Sequence, residues 1–254
     1  VNKIKKLFSK YKIDGYIVPK NDEYFNEYVS ESKDRLKFIS NFSGSAGFAL
    51  ILKNKNYLFV DGRYTIQGKI QSGKNFNIIT IPQNFPKDIL KTKKIIRIGY
   101  DPKLYNEKQL NFLFNIKNII LKPINKNLVD LIWLKKPKDL LKPFFSIPKK
   151  NIGEGVEKKI LKVKNMLIKN KIDHLLVTAP ENVAWILNIR GHDSSFSPIP
   201  NARMLISKKG YIYLFAHNKK IKKIKKKFAK KIEFYDENKI EKKLKSLFDN
   251  NILL

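Results

Sequence analysis

A carboxylate, a guanidinium and a phenol stand together in Asp61-Gly62-Arg63-Tyr64, directly after the apolar run "YLFV". An arginine fixed in such a turn suits the recognition of a carboxylate through paired hydrogen bonds, and Gly62 would let the chain leave the apolar segment sharply. The same residues also allow a local pair between Asp61 and Arg63 that caps the next helix. The motif alone leaves carboxylate binding and helix capping open.

Small residues form a loop from Ser43 to Gly47, before the apolar run "FALIL". A phosphate-binding P-loop needs a Lys-Ser/Thr pair and a different glycine spacing, and neither is present. A dinucleotide-binding loop leads into a helix, whereas this loop precedes a strand-like run. We therefore predict a sharp start to a strand, where small residues let another backbone segment approach closely.

No complete catalytic centre is visible elsewhere in the sequence. Among the histidines only His192 has suitable neighbours, in Arg190, Asp193 and nearby serines, but a serine hydrolase triad draws its members from distant segments. His174 and His217 are expected to be structural or exposed. The sequence has no cysteine and no His-Glu-x-x-His pattern. An acidic group is expected to form the solvated face of a helix; it comprises Asp22, Glu23, Glu27 and Glu31.

The chain is strongly basic, because Lys and Arg exceed Asp and Glu by 53 − 22 = 31 charges over 254 residues. The excess is nearly all lysine and is spread along the whole chain, which favours solvated lysine-rich faces over a nucleic-acid site. The densest run keeps Ile221, Ile224 and Phe228 at helical spacing and predicts an amphipathic helix. No apolar run is long enough to span a bilayer. With no cysteine, a cytoplasmic protein without a membrane partner is expected.

An internal repeat organises the chain. Ile13-Asp14 aligns with Ile172-Asp173, an offset of 172 − 13 = 159 residues. Each copy reads as a helix, a strand, a helix and then a hairpin of β-rich segments. Gly210, in the second hairpin turn, can take the positive φ that a tight hairpin needs. The repeat predicts two tandem α/β domains with mixed sheets.

Three segments are predicted: a first domain at 1–122, a proline-rich connector at 123–152 and a second domain at 153–254. The connector is expected to hold a short helix from Leu128 to Leu134. After a predicted helix from Ile240 to Phe248, the chain ends on Ile252-Leu253-Leu254, which is typical of the opening of a strand. We therefore expect a second domain that is incomplete at its C-terminal end, in a fragment of a longer protein.

Several motifs agree in order and spacing with a known family: "YIVPKNDEYFNEYV", "FISNFSGSAGFALIL", "YLFVDGRYTIQ", "NLVDLIW" and "APENVAWILNIRGHD". Over essentially the whole chain, the sequence resembles the non-catalytic N-terminal half of the three-domain Xaa-Pro aminopeptidases (aminopeptidase P) of the creatinase–prolidase superfamily. The resemblance implies two tandem creatinase N-terminal-like domains with a ribonuclease H-like motif, each a mixed β-sheet flanked by helices. One departure is the pair Lys135-Lys136 before Pro137, where relatives tend to have a single basic residue.

The resemblance also implies an activity and a site. The family removes the N-terminal residue from Xaa-Pro peptides with two divalent metal ions, usually manganese, in a C-terminal pita-bread domain. No residue here matches its metal ligands (two Asp, one His and two Glu), so this fragment is expected to bind no metal and to be inactive alone. Arg63 matches a family arginine that faces bound peptide. Asp61 and Tyr64 would orient it at the substrate entrance, and the loop from Ser43 to Gly47 would let the neighbouring domain come close.

The partners that the resemblance implies are the chain's own catalytic domain and short Xaa-Pro peptides, and a homodimer stays open. Two other functions also stay open. One is a stand-alone module that binds peptides or anions, and the other is a nucleic-acid-binding protein that uses the +31 charge. Against the latter, the sequence has no cluster of interleaved aromatic and basic residues.

Overall fold

A computed structural model describes residues 1–90, 93–194, 196–228, 231–247 and 249–254 of the chain. The chain divides into two units, Val1–Lys138 and Asp139–Leu254. Each unit is built on a mixed β-sheet accompanied by helices, so the predicted α/β class is confirmed. The segment predicted as a connector, 123–152, contains a short helix and a two-residue strand.

The strands of the first unit are β1 (Gly15–Pro19), β2 (Gly47–Leu52), β3 (Asn56–Asp61), β4 (Asn77–Ile81), β5 (Ile96–Tyr100) and β6 (Ile119–Pro123). They form one sheet in the order β4-β3-β2-β1-β5-β6. The neighbours β1–β2 and β2–β3 are antiparallel, whereas β3–β4, β1–β5 and β5–β6 are parallel. The sheet is therefore mixed, as the repeat predicts.

The helices of the first unit are α1 (Asn2–Lys5), α2 (Phe8–Tyr11), α3 (Arg35–Ser40), α4 (Thr65–Ser72), α5 (Pro86–Ile89), α6 (Glu107–Phe114) and α7 (Leu128–Ile132). Successive strand residues point to opposite faces of the sheet, so β2 contributes to two cores. Ala49 and Ile51 belong to the core that includes Leu36 of α3, and Leu50 belongs to the core that includes Leu110 of α6. Burial on both faces explains why "FALIL" is an unbroken apolar run.

The strands of the second unit are β7 (Phe145–Ser146), β8 (His174–Val177), β9 (Ile189–Arg190), β10 (Arg203–Ser207), β11 (Ile212–Phe215), β12 (Ile232–Tyr235) and β13 (Ile252–Leu253). Its helices are α8 (Val156–Lys169), α9 (Pro180–Leu187), α10 (Asn218–Phe228) and α11 (Ile240–Lys245). The main sheet runs β12-β11-β10-β8-β13, and β7 pairs with β9 separately. Here too, antiparallel and parallel pairs are mixed.

The two units repeat the same bonds around equivalent aspartates. Lys53 N–H donates to the carbonyl oxygen of Asp14 at 3.3 Å, and Lys208 N–H donates to that of Asp173 at 2.8 Å. The same lysines pair with the aspartate carboxylates, at 2.7 Å for Lys53–Asp14 and 2.6 Å for Lys208–Asp173. The alignment of Asp14 with Asp173 therefore corresponds to a common local structure.

The equivalence extends to the strand beside each aspartate. Asp14 N–H donates to the carbonyl oxygen of Arg97 in β5 at 2.7 Å, and Asp173 N–H donates to that of Asn251 at 2.9 Å. Strand β13, which follows Asn251, lies parallel to β8 as β5 lies parallel to β1. The strand predicted at Ile252 is therefore present, in the position that β5 has in the first unit.

Most local predictions agree with the structure. Gly210 has a φ of 89°, and α10 buries Ile221, Ile224 and Phe228 as the lysine-rich amphipathic pattern predicts. Pro180 begins α9, because proline is well tolerated at the first helical position. The helix predicted to reach Phe248 ends at Lys245 as α11, and Phe248 itself lies outside the described residues.

Candidate functional site

The motif Asp61-Gly62-Arg63-Tyr64 lies where β3 ends, in a single 3-10 turn that leads into α4. The Asp61 carboxylate accepts the Arg63 backbone N–H at 2.8 Å, so Asp61 caps this turn. The Arg63 side chain also folds back on Asp61: Nε donates to Oδ1 at 3.0 Å and Nη2 donates to Oδ2 at 2.7 Å. Of the two arrangements left open by the motif, the local pair with its cap is present.

The pair leaves part of the guanidinium available. Arg63 lowers the pKa of Asp61 by hydrogen bonding, and Asp61 raises the pKa of Arg63, so both groups stay charged at neutral pH. Asp61 occupies the Nε–Nη2 edge of the guanidinium, and Nη1 makes no hydrogen bond to any described residue. The Arg63 side chain is 71% exposed. A ligand carboxylate can therefore approach the Nη1–Nη2 edge without displacing Asp61.

The Tyr64 ring lies beneath the guanidinium. The Arg63 Cζ lies 5.3 Å from the centroid of the Tyr64 ring, within the range of a cation–π contact. The Tyr64 hydroxyl lies 2.8 Å from Ser45 Oγ, and this hydrogen bond lowers the pKa of Tyr64. The Tyr64 ring also meets Phe42 edge to face at 5.7 Å between centroids. Tyr64 is thus held by a hydrogen bond at its hydroxyl and by an aromatic contact at its ring.

The loop from Ser43 to Gly47, which contains the Ser45 partner of Tyr64, is itself fixed in place. Ser43 N–H donates to Gln71 Oε1 at 2.9 Å, which ties the loop to α4. Gly47 has a φ of 153°, and a Cβ there would lie 2.6 Å from the Phe59 carbonyl oxygen of β3. The predicted strand start with a close backbone approach is confirmed at Gly47. Gly62, by contrast, has open space around it and no positive φ, so the expected sharp exit does not depend on glycine there.

An open depression of ≈ 570 Å³ lies beside the motif, lined by Asp61, Gly62, Arg63, Ile81, Pro82 and Phe85. It forms because β4 runs parallel to β3 with Ile81 opposite Asp61, so both strands end at the same edge of the sheet. Ile81, Pro82 and Phe85 were not identified as site residues from the sequence. The sequence did contain a signal for the pairing of β3 with β4. The segment between "YLFVD" and "NIITI" is helical, and a strand–helix–strand crossover places its two strands parallel.

Among the described residues of the segment around His192, no catalytic triad forms. The His192 ring lies 5.2 Å from the Phe145 ring, centroid to centroid. The buried Asp193 carboxylate pairs with Lys220 Nζ at 2.5 Å and accepts Asn201 N–H at 2.7 Å. Burial raises the pKa of Asp193, and Lys220 partly opposes this rise. Ser195 lies outside the described residues.

The other two histidines have local roles. His174 is buried at the start of β8, and burial lowers its pKa. His217 accepts a backbone N–H from Lys219 at its Nδ1, at 3.2 Å. Both were expected to be structural or exposed.

The acidic group expected on a solvated helix face is not on a helix, and this prediction was wrong. Residues 20–34 form turns and bends. Asp22 is only 2% exposed, and its Oδ1 accepts N–H groups from Tyr24 at 2.9 Å and Asn26 at 3.2 Å. An aspartate that satisfies its own following backbone in this way competes with helix formation.

Glu23 belongs to a buried ionic cluster. Arg35 Nη2 donates to Glu23 at 2.6 Å and to Asp130 at 2.9 Å, and Arg35 Nε donates to Asp130 at 3.0 Å. Burial raises the pKa of Glu23, but the charges of Arg35 and Lys33 outweigh it and bring the pKa to about 2. The cluster ties the segment before α3 to α7.

Within the described ranges, no three His, Asp or Glu side chains come near enough together to hold a metal ion. The pair of metal ions implied by the resemblance therefore has no fitting ligand set among these residues, and no metal-dependent step is assigned to them. Among the same residues, no helix combines the length and apolarity needed to cross a membrane.

Comparison with known proteins places both units in one family. Models of the creatinase/prolidase N-terminal domain match residues 1–119 and 135–254. The chain belongs to this family of creatinase/prolidase N-terminal domains, of which it contains two copies in tandem. The recognition of these domains from the sequence motifs is thereby confirmed.

Curated relatives are named as peptidases. The chain is 33% identical to a probable Xaa-Pro aminopeptidase P from Coprinopsis cinerea over 207 residues, which is 77% of this chain and 33% of the relative. It is 30% identical to aminopeptidase P1 from Lotus japonicus over 209 residues, which is 80% of this chain and 32% of that protein. The chain thus spans about a third of the length of the curated relatives it matches.

A solved structure has the same fold. The crystal structure of an X-prolyl aminopeptidase from Caenorhabditis elegans, described as a cytosolic enzyme with a di-nuclear active site, matches with a TM-score of 0.86. The match covers 98% of this chain and 43% of that one, at 23% sequence identity. At this identity the likeness establishes the fold.

Proposed function

We propose that this chain acts as the non-catalytic N-terminal part of an Xaa-Pro aminopeptidase. The observation that carries the proposal is that each unit matches an N-terminal domain of the creatinase/prolidase family, while the relatives named as Xaa-Pro aminopeptidases are about three times as long as the matched region. In such an enzyme the two divalent metal ions and the hydrolytic step belong to the remaining part of the protein. The chain by itself hydrolyses nothing.

The role of this part is to shape the substrate entrance. Arg63 binds the terminal carboxylate of a short peptide through the guanidinium edge that Asp61 leaves available, with Tyr64 beneath it. A carboxylate bound at a fixed distance from the cleavage point restricts the enzyme to short peptides. The proposed compartment is the cytoplasm, where the Caenorhabditis elegans relative is described as working. The chain's own catalytic domain is the proposed partner, and a homodimer stays a prediction.

The test reads the coding sequence past the codon for Leu254 and expresses both the encoded protein and residues 1–254. Each is assayed on a short Xaa-Pro peptide with added Mn²⁺. The proposal expects His, Asp and Glu ligands in the continuation and cleavage by the longer protein alone. A reading frame that stops at Leu254, or a long form without activity, would contradict it.

The role of Arg63 is tested in the long form with Arg63→Gln. Loss of a carboxylate contact made equally in the ground and transition states raises KM and leaves kcat nearly unchanged. The matched control is Arg97→Gln, because the Arg97 side chain is also exposed in the first unit and Arg97 bonds Asp14 through its backbone N–H. Equal KM values for Arg63→Gln and the control would exclude Arg63 from peptide binding.

A further inference from the structure

Apart from Asp61 and Arg63, the lining of the depression is mostly apolar. Ile81 ends β4, Pro82 follows it, and Phe85 precedes α5. Among the six lining residues the charged side chains are Asp61 and Arg63, and Asp61 is engaged by Arg63. A group in the depression can therefore contact both the Arg63 guanidinium and carbon surface.

The apolar wall is held in place before any ligand arrives. The Phe85 ring meets the Phe112 ring of α6 edge to face, with 4.8 Å between centroids. Phe85 N–H donates to Asp88 Oδ2 at 2.7 Å, which caps α5. Lys87 Nζ lies 4.4 Å from the centroid of the Phe112 ring, on the same aromatic pair. A preformed wall lowers the entropy cost of binding.

The dimensions and charges fit the last residue of a peptide. A volume of ≈ 570 Å³ is within the range of small-molecule sites, about 300–1,000 Å³, and accommodates one amino-acid side chain with its carboxylate. A cationic side chain would be repelled by Arg63 and Lys87, and an anionic one would compete with the terminal carboxylate for Arg63. An apolar side chain does neither and can pack on Ile81, Pro82 and Phe85.

We propose that this depression is a specificity subsite that binds an apolar side chain on the C-terminal residue of a short peptide, with Ile81, Pro82 and Phe85 as its wall and Arg63 holding the carboxylate. The inference rests on the proposed function for Arg63 and goes further, because it names side chains that select among peptides. It predicts that short Xaa-Pro peptides ending in leucine or phenylalanine bind better than those ending in glycine or lysine.

The experiment titrates three peptides into the ¹⁵N-labelled 254-residue chain and follows the amide signals of Gly62 and Arg63. The peptides are Gly-Pro-Ala-Leu as the free acid, the same peptide as the C-terminal amide, and Gly-Pro-Ala-Gly as the free acid. The leucine acid is expected to bind about fivefold more tightly than the amide, and about fivefold more tightly than the glycine acid.

Two variants separate the contributions. Phe85→Ala is expected to bind the leucine and glycine peptides equally well. It should still prefer the free acid over the amide. Phe38→Ala is the matched control, because Phe38 is also partly exposed in the first unit and stacks on an aromatic ring, that of Trp133, at 4.5 Å. The control should bind all three peptides as the unchanged chain does.

Each outcome decides one point. If the acid is preferred over the amide but leucine and glycine peptides bind equally, the subsite is wrong and the Arg63 proposal stands. If acid and amide bind equally, or no peptide gives a saturable shift, the Arg63 proposal fails and the subsite fails with it. If the amide spectrum of Phe85→Ala shows that the variant does not fold, the three peptide titrations on the unchanged chain still test the subsite.

Discussion

The Tyr64 hydroxyl lies 2.8 Å from Ser45 Oγ, and this hydrogen bond joins the small-residue loop to the turn that carries Arg63. The loop from Ser43 to Gly47 and the motif from Asp61 to Tyr64 are therefore directly connected. The loop holds a tyrosine, and the tyrosine lies beneath the guanidinium at 5.3 Å. The combined effect of the two motifs is to limit the motion of an exposed arginine.

Removing either hydroxyl should loosen that support. Ser45→Ala and Tyr64→Phe are each expected to weaken binding of the Gly-Pro-Ala-Leu acid by about two- to threefold, because one partly exposed hydrogen bond is lost. The double variant should be no weaker than either single one, since both changes remove the same bond. Dissociation constants from the NMR titration check this. Independent, additive losses would show that Ser45 and Tyr64 do not act through each other.

The fold could be predicted in more detail than the site because its signals are periodic and repeated. Asp14 and Asp173 occur at equivalent places after similar helices, and the structure gives them equivalent bonds to Lys53 and Lys208. An apolar strand buried on both faces, such as β2, is also readable directly, since its side chains have no other stable place.

The site was less predictable because it depends on contacts between distant segments. The choice between a free and a locally paired Arg63 depends on side-chain rotamers that the motif does not determine. Phe85 joins the depression through the parallel pairing of β3 with β4. The acidic group was misread because Asp22 accepts hydrogen bonds from the backbone that follows it, and because Glu23 pairs with Arg35. Arg35 is also bonded to Asp130, 95 residues away. Burial of that arginine leaves no local sequence pattern.

Arg35 is expected to be a major stabiliser of the first unit. Its side chain is 2% exposed between Glu23 and Asp130, and Arg35→Met leaves two carboxylates without their main partner. Removing one member of a buried ionic cluster costs about 3 kcal/mol of unfolding free energy. Urea unfolding followed by Trp133 fluorescence, in a Trp185→Phe background, measures this for the first unit. Lys33→Met is the control, because Lys33 is 29% exposed and 3.4 Å from Glu23, and it should change stability by less than about 1 kcal/mol.

Acid should weaken the first unit through Glu23. Its pKa is about 2 in the folded chain, below the ordinary value of 4.5. A carboxyl whose pKa is lower in the folded state stabilises the fold above both pKa values, and this stabilisation is lost as the pH falls from about 4.5 to about 2. Urea midpoints measured between pH 7 and pH 2 with Trp133 fluorescence should fall over that interval. Glu23→Gln should flatten the fall, and an identical pH profile in this variant would assign the acid sensitivity to other groups.

Two glycines near the site, Gly47 and Gly62, should respond differently when each is replaced by alanine. In Gly47→Ala the new Cβ would lie 2.6 Å from the Phe59 carbonyl oxygen, at a φ of 153° that side chains rarely adopt. Strain and the clash together should lower the unfolding free energy by about 2 kcal/mol or more. Gly62→Ala meets no atom within 4 Å, so stability should stay within about 0.5 kcal/mol or rise, because alanine restricts the unfolded chain. Urea unfolding of both variants measures the two changes in unfolding free energy. Equal losses at the two positions would show that the close approach of β2 to β3 at Gly47 is not what requires glycine there.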